Sequence, residues 1–571
     1  MAIARRNGMD QRIVLPALVI VLLCAALIRL HGLDLQSLEA DEIFTFAIAD
    51  PDNSLLEVLS IPLHNTPTAK PALYFLMTHF FLRLHDHDFL LRFPSMAFGV
   101  LGVAATYSVG AALFGKKEGL LAAFLLCLSP LHIRYSQWSR FYTTLIAFSL
   151  LSLLLLYRGT YDGGSKRWGG FIGATVLNLY THLFAFLVLL SEGVFFAVVW
   201  LRDFFVSRGA SRRTGDPSCD QLEKRRIFVH KRALLNAILS VVIICVAYLP
   251  MAPHVVASLI GPKGLAEEAE TPGMELSLAF FRSLLTEWSA GSAIGLLIFV
   301  ALFLVGIVVS LNSARLALLL GLLWMVVPLA VLFAAPVQHR FYSRYLAFQL
   351  PIYLVFVARG LTRCGSAIGS VLERFGEGKG QRSWVGLSLG VIIAGAVSLW
   401  PLRAYYGERL SDWRAAGNFV ADMMLPGEQL VVRNPGYQIA LAHYDERLEE
   451  VDCGVASPRD PLPSDLSYER GIWFVGKEGR KNEMSGLEEE LAALIGDPIF
   501  KMVFEGHGDH TAPGAGESMF WDVWVLYARD GMDEGEVAEL YKRALDILPP
   551  HSTGFVHQAL QDLAGEQQAS E

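Results

Sequence analysis

The feature of this sequence that most restricts its fold is a series of apolar runs, each about as long as a lipid bilayer is thick. A helix needs about 20 mostly apolar residues to cross the hydrocarbon core. Such runs occupy residues 13–30, 93–113, 119–133, 141–157, 168–201, 233–250, 294–311, 316–335, 345–357 and 385–400. Because the run 168–201 is long enough for a tight pair, about eleven spans are expected. The sequence therefore predicts a polytopic α-helical membrane protein.

Composition supports this fold class and excludes others. Hydrophobic residues make up 53% of the 571 residues and charged residues only 18%, with a mean hydropathy of +0.42. An ordinary soluble chain has roughly 25% charged residues. A net charge of -8 excludes a basic nucleic-acid-binding protein, and so apolar a composition excludes a disordered chain. We therefore expect membrane lipids, and no nucleic acid, among its partners.

The charges of the predicted loops give the orientation. With the N-terminus in the cytoplasm, the loops on that side hold 23 Lys and Arg residues against 9 Asp and Glu residues, whereas the opposite loops hold 8 and 14. Basic residues concentrate in the cytoplasmic loops of membrane proteins. We predict a multi-pass protein of the inner (plasma) membrane with a cytoplasmic N-terminus and an extracytoplasmic C-terminal part.

One shorter apolar run, at 71–84, was not counted as a span. Its 14 residues are few for a crossing, and counting it would reverse the side of every later loop. It is interpreted as a helix at the outer membrane interface. A short true span remains the alternative.

Two domains are predicted. Residues 1–403 form a transmembrane catalytic domain, in which 31–91 is an outer catalytic loop with interfacial helices. Residues 404–571 form a small extracytoplasmic α/β or α+β domain, because their pattern changes to that of a soluble protein. Short strands are expected at 429–433, 471–475 and 519–527, and helices at 413–424, 534–548 and 553–563.

Ionisable residues at the outer membrane face are the candidates for chemistry. The acidic pair Asp41 and Glu42 follows the first span by about ten residues. It is typical either of a helix N-terminus, where the dipole favours acids, or of a carboxylate held as a base in a partly dry pocket. Four cations map to the same face, against the usual charge bias, which indicates function unless they only reach lipid head groups. They are Lys70, Arg92, Arg140 and Arg344.

Several short motifs, in this order and with this topology, resemble the N-terminal half of the GT-C membrane glycosyltransferases. The closest branch is that of the protein O-mannosyltransferases and the lipid A aminoarabinose transferase. The resemblance covers residues 10–360, with a weaker echo further on. The motifs are Asp41-Glu42, Lys70-Pro71-Ala72-Leu73-Tyr74, Leu91-Arg92-Phe93-Pro94-Ser95, Ser129-Pro130, Ser139-Arg140-Phe141-Tyr142, Thr181-His182, Arg344-Tyr345 followed by Pro351, and the echo Asp412-Trp413-Arg414.

The resemblance implies an enzyme whose donor is a polyprenyl phosphate carrying one sugar, with transfer on the non-cytoplasmic side. Asp41 matches the family's catalytic acid, Glu42 the second acid, and Lys70 a lysine that contacts the donor phosphate. Ala69 stands where the family has an acid linked to metal binding. We therefore expect no cofactor, and a divalent metal ion stays an open alternative.

The residue types suit this reaction. A carboxylate such as Asp41 can accept the proton of an attacking hydroxyl, and fixed cations can stabilise the leaving phosphate. The predicted phosphate ligands are Lys70, Arg92, Arg140 and Arg344. The predicted contacts to sugar or acceptor are Tyr142, His182, His339 and Tyr345. The sequence leaves open which hexose or pentose is moved, and whether the acceptor is a lipid, a glycan or a protein of the cell envelope.

A flippase or transporter of lipid-linked sugars is the alternative function. Such a protein would be expected to show inverted repeats and charges near the bilayer midplane, and neither is evident. A D-x-D motif at Asp86-His87-Asp88 resembles the metal motif of nucleotide-sugar transferases but lacks their sheet context.

Overall fold

The computed structural model of the chain consists mainly of long apolar helices. It describes residues 11–64, 72–211, 217–260, 277–334, 343–374, 382–408, 410–432, 434–449, 451, 453–455, 471–477, 500–504, 523–529, 532–548 and 560. Two compact units are present: Met1–Leu33 together with Ile48–Tyr405, and Asp34–Ala47 together with Tyr406–Glu571. We call them the membrane unit and the second unit. The predicted outer loop 31–91 is therefore divided between them.

Seventeen helices precede the C-terminal part in the described residues, and a 3₁₀ turn, Ser343–Gln349, leads into α16. In chain order, α1–α17 are Gln11–Leu30, Ala40–Ala49, Leu55–His64, Leu73–Leu82, Asp88–Leu113, Lys116–Cys127, Pro130–Ser136, Tyr142–Asp162, Ser165–Leu179, Ala185–Ser211, Pro217–Tyr248, Ala252–Ile260, Leu278–Trp288, Ala293–Ser313, Arg315–Ala334, Leu350–Arg374 and Arg382–Gly407.

Within the described residues, 8 helices are long and apolar enough to cross a membrane, or 9 if α6 and α7 count as one span. The chain is thus a multi-pass membrane protein, as predicted. The other predicted spans coincide with α9, which has only 15 residues, and with α17. The run 71–84 contains α4, whose 10 residues extend about 15 Å, half the thickness of the hydrocarbon core. Its interfacial position stays a prediction.

The sixth and seventh helices meet at a bend of 66°. Ser129 caps α7 by accepting a hydrogen bond from the His132 backbone N–H, and Pro130 takes the first helical position, where its missing N–H costs nothing. Buried Arg29 of α1 fastens this junction, since its guanidinium donates to the carbonyls of Leu126 and Cys127. The bend directs α7 toward the candidate site.

A close contact between α14 and α16 fixes the helix that follows the 3₁₀ turn. A Cβ atom on Gly306 would collide with the Phe356 carbonyl, and one on Gly360 with the Leu302 carbonyl. Small residues let apolar helices approach to backbone contact, which is a main source of packing energy in membranes.

The second unit contains a five-stranded mixed sheet. Strands β1–β5 are Gln429–Val432, Cys453–Val455, Ile472–Lys477, Phe500–Phe504 and Val523–Ala528. Their order is β2-β1-β3-β5-β4, with β1 parallel to β2 and β3, and β5 antiparallel to β3 and β4. The helices are α18 (Trp413–Met423), α19 (Pro435–Tyr444) and α20 (Glu534–Ile547).

Predicted and observed elements of the second unit agree well. The strands expected near 429, 471 and 519 coincide with β1, β3 and β5, and the helices expected at 413 and 534 with α18 and α20. Phe419 of α18 packs on the sheet against Trp473 and Phe500. The helix expected at 553–563 lies outside the described residues, apart from Leu560.

Candidate active site

The structure brings five of the predicted site residues into one cluster in the membrane unit. They come from three chain turns: the turn between α7 and α8, the turn between α9 and α10, and the 3₁₀ turn before α16. These five are Arg140, Tyr142, His182, Arg344 and Tyr345. With their neighbours they form what we call the aromatic–arginine cluster: Arg134, Tyr135, Trp138, Arg140, Phe141, Tyr142, His182, Phe184, Glu287, Arg344 and Tyr345.

Three rings, from the end of α7, the turn after it and the start of α8, form an aromatic platform. The rings of Tyr135 and Trp138 are stacked with centroids 6.3 Å apart, and Tyr142 lies 5.0 Å from Tyr135 and 5.6 Å from Trp138. The interplanar angles of 21–36° keep the three faces nearly aligned. Offset, near-parallel rings are a stable arrangement of aromatic side chains.

A second row of rings joins this platform to the other two turns. Phe141 lies 4.4 Å from His182, and His182 lies 5.9 Å from Tyr345, between ring centroids. Phe184 stacks on both His182 and Tyr345. The three turns are therefore held together by aromatic contacts at the ends of the helices that carry them.

Three arginines lie over aromatic rings, two of them over rings just described. The guanidinium carbon of Arg344 is 5.5 Å from the Trp138 ring centroid, and that of Arg140 is 5.0 Å from the Phe141 centroid. Arg134 lies 4.7 Å from the ring of Tyr405. A guanidinium that stacks on a ring keeps its N–H groups in its own plane, where they can bind the oxygens of a carboxylate or phosphate.

A chain of hydroxyl groups fixes the turn that carries Arg140. The Tyr74 hydroxyl donates to Ser95 Oγ at 2.6 Å, and Ser95 Oγ donates to the Arg140 carbonyl at 2.9 Å. Ser139 Oγ donates to the Leu91 carbonyl of α5 at 2.9 Å. All of these groups are buried, so each bond also satisfies a polar atom removed from water. The sequence motifs that contain Tyr74, residues 91–95 and residues 139–142 thus meet at the turn that carries Arg140.

Glu287 of α13 is a site residue that the sequence analysis missed. Its half-buried carboxyl accepts hydrogen bonds from Ser343 and Ser283 and feels the charge of Arg134. Burial raises the pKa of Glu287 to about 7, and those three groups partly oppose the rise. In the sequence this acid was only one of several in the acidic stretch 251–293, and nothing separated it from the others.

Three further members of the cluster were missed as site residues: Arg134, Tyr135 and Trp138. They lie in the predicted outer segment 134–140, of which only Ser139 and Arg140 were singled out, as part of a motif. The presence of two arginines and two aromatic residues within seven positions was a usable signal. It would have marked the whole segment, and not only Arg140.

Arg92 has a different environment from the arginines of the cluster. Only 2% of its surface is exposed, and its guanidinium donates to the Leu33 carbonyl at 3.0 Å. The described contact therefore ties α5 to the end of α1.

The predicted catalytic acids lie in α2, within the segment 34–47 of the second unit. Glu39 precedes the helix, and its carboxylate accepts from the Asp41 backbone N–H, while Glu42 accepts from the Glu39 N–H. This reciprocal arrangement caps the helix N-terminus, as in a capping box. Glu42 is 1% exposed, whereas the side chain of Asp41 is half-buried. Glu42 thus makes the contact that the helix-terminus interpretation of the pair predicts, and the catalytic role of the pair stays a prediction.

The C-terminal motif Asp412-Trp413-Arg414 holds this acidic segment within the second unit. Ser37 Oγ donates to the Asp412 carboxylate at 3.1 Å and accepts from the Arg414 backbone N–H at 3.2 Å. The guanidinium of Arg414 donates to the Asp34 carbonyl at 2.9 Å. The weaker echo of the family pattern thus has a structural role in placing the residues that precede α2.

Two predicted site residues, Lys70 and His339, lie outside the described residues. Within the described part of the chain, no group of three His, Cys, Asp or Glu side chains is arranged to hold a metal ion. The D-x-D motif begins α5, where the side chain of His87 caps the helix by accepting from the Phe89 N–H.

Comparison with known proteins agrees with this architecture. Residues 69–210 match the family described as dolichyl-phosphate-mannose-protein mannosyltransferase. No curated protein matches the chain by sequence.

Among solved structures, the chain is similar to ArnT from Cupriavidus metallidurans in the apo state, with a TM-score of 0.51 and 13% identity over 89% of this chain and 97% of that chain. ArnT of the same organism bound to undecaprenyl phosphate gives a TM-score of 0.50 at the same identity and coverage. The archaeal oligosaccharyltransferase AglB from Archaeoglobus fulgidus, in complex with an inhibitory peptide and a dolichol-phosphate, gives 0.46 at 13% identity over 81% of this chain and 69% of that chain. The predicted GT-C fold and the resemblance to that superfamily are confirmed.

Proposed function

We propose that the chain is a membrane glycosyltransferase that moves a single sugar from a polyprenyl phosphate to an acceptor of the cell envelope on the non-cytoplasmic face. The observation that carries the proposal is the aromatic–arginine cluster, in which ring-stacked arginines from separate turns meet. A lipid phosphate is also the ligand of the similarly folded ArnT bound to undecaprenyl phosphate. The chemistry of the cluster and this ligand agree, since guanidinium groups bind phosphate oxygens well.

The reaction we propose is a displacement at the anomeric carbon. An acceptor hydroxyl forms a new C–O bond to that carbon, while the bond between the carbon and the phosphate oxygen breaks. The polyprenyl phosphate leaves with the bonding electron pair, and the hydroxyl proton passes to a carboxylate, which we assign to Asp41. A single displacement inverts the configuration at the anomeric carbon.

The cations act on the leaving group. Arg140 and Arg344 would bind the phosphate oxygens in a largely buried setting, where fixed charge stabilises a developing anion far better than in water. On the resemblance, Lys70 and Arg92 belong to the same phosphate site, and Tyr142, His182, His339 and Tyr345 contact sugar or acceptor. If the acceptor is itself a phosphate, no base is needed and Asp41 would position the reacting groups.

The comparisons do not favour the alternative of a lipid-linked sugar transporter. In the proposed enzyme the charges need to lie at one end of the helices, where the lipid phosphate sits. A transporter instead needs a binding site near the bilayer midplane.

Binding of the lipid phosphate tests the cluster, with a matched control on α16, the helix that follows the 3₁₀ turn. Arg344→Gln should weaken binding of undecaprenyl phosphate about 10- to 100-fold, the effect of losing a hydrogen bond between charged groups. Arg359→Gln is the control, because Arg359 also lies over a ring, that of Phe114, but is paired with Glu118 at 2.6 Å. It should bind the lipid like the wild type. Equal affinity of wild type and Arg344→Gln, measured in nanodiscs, would refute the phosphate site.

The catalytic acid is tested by sugar transfer in proteoliposomes. Asp41→Asn should lower the rate about 10²- to 10⁴-fold, the usual contribution of a general base. Glu42→Gln should have a smaller effect on rate and mainly lower the melting temperature, because Glu42 caps α2. Transfer by Asp41→Asn at the wild-type rate would remove Asp41 from the mechanism.

A further inference from the structure

Three buried polar atoms at the aromatic platform have no hydrogen-bond partner among the described residues. They are the hydroxyl of Tyr135, the indole Nε1 of Trp138 and the Oε2 of Glu287. An unsatisfied buried donor or acceptor costs about 1–3 kcal/mol, so native proteins rarely keep one without a use. Three in one place indicate a ligand that supplies the missing partners.

The three atoms belong to one local structure. The rings of Tyr135 and Trp138 are stacked, 6.3 Å apart. The carboxyl of Glu287 is close enough for its charge to act on the Tyr135 hydroxyl and on Arg134. Ser343, which precedes Arg344, donates to the Glu287 carboxyl and so joins α13 to the 3₁₀ turn.

The chemistry of these groups discriminates between parts of a glycolipid. A phosphate accepts hydrogen bonds and would be repelled by Glu287, and an isoprenoid chain needs no polar partners. A sugar ring has C–H faces that pack on electron-rich aromatic faces, and hydroxyl groups that both donate and accept. Tyr135 and Trp138 offer two donors beside a ring face, and Glu287 offers an acceptor.

The charge nearby favours an uncharged sugar. Among the described side chains of the cluster, Arg134, Arg140 and Arg344 outnumber the single carboxylate of Glu287. An aminosugar would bring its ammonium into this positive surrounding, at a cost that rises as water is excluded. The carboxylate of an acidic sugar would be repelled by the carboxylate of Glu287.

From these observations we infer that Tyr135, Trp138 and Glu287 form the subsite for the sugar of the lipid donor, and that this sugar is neutral. The inference rests on the proposed function, because it takes the lipid phosphate to bind at the neighbouring arginines. It also distinguishes this chain from an enzyme that transfers aminoarabinose. Glu287 then recognises a sugar hydroxyl and determines specificity.

The test measures the gain in affinity that the sugar provides. The full chain in nanodiscs is titrated with undecaprenyl phosphate and with the same lipid carrying mannose, glucose, galactose or 4-amino-4-deoxyarabinose. In the wild type at least one neutral sugar should bind about tenfold or more tighter than the bare lipid, as expected for hydrogen bonds to otherwise unpaired buried groups. Glu287→Gln should lose most of this gain, whereas its affinity for bare undecaprenyl phosphate should not fall, because the variant removes a group that repels phosphate.

One conservative variant serves as the folding control. Tyr135→Phe keeps the ring in place and removes only the unpaired O–H. If the polar group only stabilised the fold, its removal would lower the melting temperature. Our inference predicts an unchanged or higher melting temperature, together with a smaller gain in affinity from the sugar. The inference is overturned if no neutral sugar tightens binding, if the aminosugar binds best, or if Glu287→Gln keeps the full gain. Failure of the proposed function differs, since it would appear as unchanged binding of the bare lipid by Arg344→Gln.

Discussion

Two groups of arginines in the membrane unit show how one residue type serves two purposes. Arg29 is fully buried, and its guanidinium donates to the carbonyls of Ala25, Leu126 and Cys127 and to Ser136 Oγ. The arginines of the aromatic–arginine cluster have their guanidinium carbons over rings, 4.7–5.5 Å from the ring centroids. In the first group the N–H groups hold the protein's own backbone. In the second group, a guanidinium over a ring face can direct the N–H groups at its edge toward an external anion.

The comparison shows that burial and charge alone do not identify a functional arginine. Arg92 matches a family motif and is as buried as Arg29, and it too donates to a carbonyl, that of Leu33. The described contacts that distinguish Arg140 and Arg344 from Arg29 are those with ring faces. Substitution of Arg29 should therefore change folding, whereas substitution of Arg140 or Arg344 should change binding.

The largest effect is expected from Arg29→Ala. Its removal leaves the carbonyls of Leu126 and Cys127 at the α6–α7 bend without their donor, and we expect the free energy of unfolding to fall by about 3–5 kcal/mol. Thermal unfolding in detergent measures the change, with Arg344→Gln as the control that should unfold close to the wild type. The distinction between the two groups of arginines would be contradicted if Arg29→Ala is as stable as the wild type, or if Arg344→Gln is less stable than Arg29→Ala.

A smaller effect concerns the carboxyl in the cluster. Burial raises the pKa of Glu287 from 4.5 to about 7. The folded protein therefore keeps a proton that the unfolded chain has released, so stability should fall as the pH rises from about 4.5 to about 7 and level off above that.

The matched variant for this prediction is Glu287→Gln, which cannot titrate. Its melting temperature should depend less on pH across the same range than that of the wild type. Parallel curves for the two proteins would show that the carboxyl of Glu287 is not the group responsible.

The smallest effect is expected where a hydroxyl only positions an arginine. Tyr74→Phe removes the donor to Ser95 Oγ, whose own hydrogen bond holds the Arg140 carbonyl. We expect a loss of about 1 kcal/mol, or roughly fivefold in affinity for undecaprenyl phosphate. A loss as large as that of Arg344→Gln would place Tyr74 among the direct ligands instead.

Much of the fold was predictable from the sequence, because its main signals are local. Spans are runs of apolar residues, and β1, β3 and β5 appear as short buried runs bounded by turn residues. The bend between α6 and α7 was not predicted, although Ser129-Pro130 provides both a cap and a helix start. The assignment of segment 34–47 to the second unit depends on contacts such as Ser37 with Asp412, which are 375 residues apart in sequence. Contacts between residues so far apart leave no pattern in the local sequence from which they could be predicted.

The candidate site was predictable in part. Arg140 and Arg344 were found because cations at the outer face contradict the usual charge bias, and their motifs supplied a second signal. Glu287 was missed because an acidic residue in an acidic loop does not depart from the expected charge pattern. For Glu42 the sequence could not separate the two interpretations, because a capping carboxylate and a catalytic one have the same neighbours in sequence.

The central claim, that a lipid phosphate binds at the ring-stacked arginines, is tested most directly by cryo-electron microscopy of the full chain in nanodiscs with undecaprenyl phosphate. The account predicts density for the phosphate within about 3 Å of the guanidinium groups of Arg140 and Arg344, the distance of a charge-assisted hydrogen bond. A phosphate bound elsewhere, with these two arginines still on the rings of Phe141 and Trp138 and facing no ligand, would contradict it.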